Sequence, residues 1–101
     1  MVAVKRKINW DKAALVDFKS AMNYIHKSSV QNAEKVKKDI LYKIAQTATN
    51  PESGRPDKNK LNNTDNYRAF ELHHFRISYL VKEKEIIIAR FRHTSMDAQQ
   101  Y

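Results

Sequence analysis

No cysteine occurs in this chain of 101 residues, which excludes a disulfide framework and thiolate metal sites. Glycine and proline are scarce as well: the one Gly and both Pro fall between Pro51 and Asn66. Long apolar runs are missing, the longest being Ile86-Ile87-Ile88-Ala89, far short of what a bilayer crossing needs. With no apolar export signal at the start, the expected compartment is the cytoplasm. Acidic residues are in deficit, 11 against 19 Lys and Arg, for a formal charge of +8. That excess creates a field attractive to polyanions or to an acidic protein, although Lys5-Arg6-Lys7 and Lys35, Lys37 and Lys38 each also read as solvated faces. A chain this short supports one domain, residues 1–101, because either half alone would bury too little apolar surface.

What is present is ordered by hydrophobic periodicity. From Val2 to Trp10 the residues alternate, placing Val2, Val4, Ile8 and Trp10 on one side of a strand. Asp11 then has the chemistry of an N-cap, and Leu15, Phe18, Met22 and Ile25, with Ala14 and Ala21, recur at helical spacing to about Lys27. Ser28 and Gln31 have the form of a capping box before a second stripe of Val30, Ala33, Val36, Ile40, Leu41 and Ile44. That helix must stop by Asn50-Pro51, since proline lacks the donor and disfavours helical geometry in the residue before it. The polar stretch Pro51 to Asn66 is a connecting loop, where function concentrates. Tyr67 to His73, Phe75 to Val81 and Glu85 to His93 are rich in β-formers and too closely spaced for crossover helices, so they predict an antiparallel meander with a turn at Lys82-Glu83-Lys84. No repeat or low-complexity tract interrupts this order.

The fold class expected is α+β in the order β-α-α-β-β-β, a helical hairpin packed on one face of a twisted, mainly antiparallel four-stranded sheet. The opposite face is then left to basic side chains. Strict alternation along the last strand puts Ile86, Ile88, Arg90 and Arg92 on one side and Ile87, Ala89, Phe91 and His93 on the other.

Three local patterns add to this order: Trp10-Asp11 opening the first helix, the Gly54-Arg55-Pro56 loop, and Phe75-Arg76-Ile77-Ser78-Tyr79 followed by a strand ending Arg90-Phe91-Arg92-His93. With them the chain resembles the RelE/ParE toxin superfamily, a plasmid-stabilisation type of toxin, over nearly its full length. The resemblance implies the toxic half of a type II toxin-antitoxin pair, with a cognate acidic antitoxin as partner in a hetero-oligomer. It implies one of two targets. RelE-like and YoeB-like members cut messenger RNA on the ribosome without metal or other cofactor; ParE-like members act on DNA gyrase by binding.

Metal-independent RNA cleavage needs a base for the 2'-hydroxyl, a cation for the charged phosphorane and an acid for the leaving oxygen. The resemblance to the YoeB-like pattern assigns these to Asp57, Arg76 and His93, making a ribosome-dependent endoribonuclease the main expectation and gyrase inhibition the alternative. Lys58, Lys60, Arg90, Arg92 and Tyr101 are expected to hold the substrate, Tyr101 by stacking on a base. Asp57 is one methylene shorter than the family's glutamate, and beside Lys58 it also reads as a turn former or surface ion pair. Arg76 fits folding or antitoxin binding in either branch. His93 is offset by one position, which in a strand reverses its face. The RelE-like lysine pair falls on Tyr67 and Ala69 and its late arginine on Ser95 or Met96, which disfavours that branch. His73-His74 and His93 do not read as a zinc site, having neither cysteine nor clustered carboxylates beside them. Tyr67, Phe70, Phe75, Tyr79 and Phe91 read first as core and cross-strand packing.

Overall fold

A computed structural model describes residues 5–95, 100 and 101. Val2, Val4 and Met96 therefore lie outside the described residues. The elements are β1 (Lys7–Trp10), α1 (Lys12–Ser28), α2 (Val30–Thr49), a 3-10 turn (Pro51–Ser53), β2 (Arg55–Pro56), β3 (Tyr67–Leu72), β4 (Phe75–Val81) and β5 (Glu85–His93). They form one sheet in the order β1-β5-β4-β3-β2. β1 runs parallel to β5, and the other neighbours are antiparallel. The sheet thus has five strands and not four: the Gly/Pro loop contributes the two-residue β2, whose proline sits at the sheet edge, where a missing donor is tolerated.

The helices form where the apolar stripes predict them, with shifted ends. Asp11 occupies the N-cap position of α1 but makes no side-chain capping bond. The cap of α2 is Ser29, one residue later than the sequence reading, with its hydroxyl accepting from Asn32 N at 3.1 Å. Ser29 N also donates to Ile25 O, so one residue closes α1 and opens α2. Within the second stripe Ala33, Val36, Ile40 and Ile44 are buried, whereas Val30 and Leu41 face solvent.

Phe18 and Met22 of α1 and Ile40 and Ile44 of α2 cover Phe70, Phe75, Ile77, Tyr79, Ile86, Ile88 and Phe91 of the sheet. Phe91 anchors this layer, meeting Phe18 edge-on at 5.3 Å and Phe75 stacked at 4.8 Å. Each such side chain contributes roughly 1.5–3 kcal/mol through burial. Tyr79 does more than fill space. Its hydroxyl donates to Pro51 O at 2.6 Å and accepts from Gly54 N at 2.9 Å, tying the 3-10 turn to the centre of the sheet. Burial pushes its phenol pKa up. A side chain at Gly54 would collide with the Tyr79 hydroxyl and sit 2.9 Å from the Ala69 carbonyl oxygen, which explains the glycine.

Two local geometries differ from the sequence reading. His73 and His74 are not in a strand: both have positive φ, 54° and 68°, and make the two-residue turn joining β3 to β4. In β5 the ladder shifts register, since Ser78 pairs with Arg90 and Tyr79 with Ile88, leaving Ala89 as an extra residue. This β-bulge breaks the alternation. Ile86 and Ile88 face the helices with Phe91, while Arg90 and Arg92 turn to the open face, so the four do not share one side as strict alternation predicts.

Candidate functional site

The bulge assembles the open face. Glu71, Arg76 and Arg92 lie in register across β3, β4 and β5, and Ala69, Ser78 and Arg90 form the adjacent row. Directly opposite residues in an antiparallel pair project to the same side, so Arg76, Arg90 and Arg92 point together.

Asp57 enters this face from the chain just beyond β2, where its N–H donates to Tyr67 O at 2.9 Å. It is 2 % exposed. Its carboxylate accepts from Arg76 Nη2 at 2.7 Å, from Asn59 N at 3.0 Å in a local Asx turn, and from the Tyr101 hydroxyl. Burial pushes the Asp57 pKa up, but the bonds from Tyr101, Arg76, Asn59 and Ser78 outweigh it and hold the group below the ordinary carboxylate range. Its oxygens are therefore occupied and their basicity lowered, the reverse of the tuning that suits a general base near neutral pH.

Arg76 spans two carboxylates, its second amino group reaching Glu71 Oε2 at 3.1 Å. Its Nε is buried with no hydrogen-bond partner. Tyr101 lies across the same region. Its N–H donates to Asn59 O and its carbonyl accepts from Leu61 N, while the ring packs edge-on against Tyr67 at 5.7 Å. Arg90 rests 4.3 Å and Lys60 Nζ 5.3 Å from that ring's centroid, arrangements in which a cation is drawn to the π face. Burial, then the bond to Asp57, raises the phenol pKa well above its usual value. Lys58 is exposed and lines a cleft of about 430 Å³ with Gly54, Arg55, Glu71 and Arg76.

Asp57, Arg76, Lys60, Arg90, Arg92 and Tyr101 thus meet on one face, with Lys58 at its margin. His93 does not join them. It pairs with Phe75 on the helix side, meets that ring edge-on at 5.3 Å and stacks with His74 at 6.3 Å. Its Nδ1 accepts from Ser95 N at 3.1 Å. His73 is engaged elsewhere, 2.7 Å from Asp39 on α2. Among the described residues, no group of three or more His, Cys, Asp or Glu is arranged to hold a metal ion.

Sequence reasoning passed over Asn59, Tyr67, Ser78 and Glu71 as members of this site. Asp57-Lys58-Asn59 carried a usable signal, since Asp two residues before a backbone donor is the pattern of an Asx turn. Ser78, the one small polar residue inside an apolar strand, carried another.

A family model described as ParE toxin of type II toxin-antitoxin system, parDE, matches residues 8–98. No curated protein matches in sequence. Among solved structures, a chain of the chromosomal ParDE TA system from P. aeruginosa superposes with a TM-score of 0.70 at 19% identity, covering 90% of this chain and 98% of that one. At that identity the likeness shows a shared fold. Among the described residues, no helix is long and apolar enough to cross a membrane.

Proposed function

The chain belongs to the ParE toxin family of type II toxin-antitoxin systems, and from that premise we propose that it acts in the cytoplasm by binding and poisoning DNA gyrase, not by cutting messenger RNA. The state of Asp57 carries this reading. A carboxylate that is buried, bonded to a guanidinium, a phenol and a backbone N–H, and held below its ordinary pKa is a structural anchor. RNA cleavage also needs an acid near the base, and His93 sits on the helix side of the sheet. The residues expected to hold substrate serve binding in this reading: Arg90, Arg92, Lys60 and Tyr101 form a cationic surface built on the Asp57–Arg76 pair. Such a surface suits the acidic antitoxin as well, because covering desolvated positive charge favours a partner of opposite sign.

Purified chain added to gyrase and relaxed plasmid should stop supercoiling and leave cleaved DNA, and His93→Ala should do the same. In a translating extract, messages should remain intact. Messages cut at the ribosomal A site, with supercoiling unaffected, would overturn the proposal.

A further inference from the structure

Arg76 and Arg92 are directly opposite each other on β4 and β5, and Arg90 stands in the next row of the same face. Like charges at directly opposed positions are destabilising, so the arrangement needs a compensating anion. Asp57 and Glu71 supply one for Arg76. Neither carboxylate bonds Arg92, for which no ion pair or hydrogen bond joins it to a described residue. Crowding registers in Arg90, whose pKa is lowered by burial and then by Arg92. All three cations are arginines, whose planar forks match phosphate oxygens two at a time, whereas every basic residue within the helices is lysine apart from His26. Tyr101 closes the side of the row, with Arg90 against its ring.

We infer that Arg92 and Arg90 form a binding site for consecutive phosphates of a DNA backbone, so that the toxin touches the DNA which gyrase holds as well as the enzyme. The setting rests on the gyrase reading, but the contact is testable without the enzyme. Arg76, opposite Arg92 and held by two carboxylates whose charge exceeds its own, positions the row and contributes no phosphate contact.

The test is binding of the full chain to a fluorescently labelled DNA duplex, followed by anisotropy over a series of salt concentrations. Two phosphate contacts predict a slope of log K against log salt of about −1.8, and Arg92→Gln should bring it to about −0.9 while weakening binding about tenfold at low salt. Arg92→Lys keeps the charge and should keep the slope while losing affinity. Lys37→Gln, on the exposed side of α2, should change neither. An Arg92→Gln slope equal to that of the wild type, or an equal effect from Lys37→Gln, would overturn the inference. So would an acidic peptide that binds through Arg92 while the duplex does not bind, since the face would then belong to a protein partner. A toxin that binds DNA through Arg92 yet leaves supercoiling untouched would remove gyrase as the target and keep the phosphate site; the converse result would remove only the site.

Discussion

The two layers of the molecule carry their positive charge in different chemical forms. The helices hold seven lysines and no arginine, whereas all six arginines lie in or directly beside strands. Lysine keeps a hydrated head in water at the end of a flexible stem, and the ties made from the helical layer are loose ones, such as Lys35 Nζ to Asp39 at 3.6 Å. Arginine forks hold atoms in place. Arg6 donates to Lys82 O at 2.8 Å, Arg68 to Gly54 O at 2.8 Å, and Arg76 to two carboxylates. The difference teaches that net charge alone misdescribes this protein: one layer's cations are loosely held, while several of the other's are part of the architecture and of the recognition surface proposed above.

The largest test of that contrast is Asp57→Ala. It strands a half-buried guanidinium and three donors, and should cost about 3–5 kcal/mol in urea unfolding. Acid sharpens the point. Because the folded pKa of Asp57 is depressed, its contribution is fully present above the unfolded value of about 3.9 and is lost as pH falls through the lower folded value. The stability gap between wild type and Asp57→Asn should therefore narrow as pH falls below about 4; a gap that widens on acidification would contradict the assignment. Next in size is the anchor beneath the same face. Tyr79→Phe leaves Gly54 N without its buried acceptor and should cost about 1–3 kcal/mol, and Gly54→Ala, which forces a methyl against Tyr79, a similar amount. Thermal or denaturant melts of both variants measure it. On the helical layer, Ser29→Ala should cost about 1 kcal/mol by removing the cap, and Ser28→Ala much less; reversed values would restore the capping box to Ser28. Smallest of all, Lys37→Gln should stay within about 0.5 kcal/mol of wild type. A larger loss there would erase the distinction between the layers.

Much of the fold was legible because long apolar stripes at helical spacing and closely spaced β-rich runs leave few alternatives. Phe18, Met22, Ile40, Ile44 and Ile77 sit where periodicity puts them. The errors are local and share a cause: backbone geometry that side-chain type did not announce. The β3–β4 turn uses His73-His74 at positive φ in place of the usual Asn-Gly, so it read as strand. Ala89 carries no mark of a bulge, yet the bulge decides which way two arginines point. Asp57 reads from sequence as a catalytic base or as a turn former or surface ion pair beside Lys58; it is buried, and one of its partners is Tyr101, forty-four positions away in sequence. The site was half legible for this reason. Its cations follow from composition and strand placement, but which carboxylate neutralises which guanidinium depends on contacts between distant segments.

The extra residue at Ala89 ties the outer surface to a single irregularity of the backbone. Deleting that one alanine would leave Ile88 opposite Tyr79 and Arg90 opposite Ser78 in an unbroken ladder, with both arginines still outward and Phe91 still inward. The outward facing of both arginines should therefore survive loss of that residue, whereas a strand that kept it but lost the bulge would turn them toward the helices.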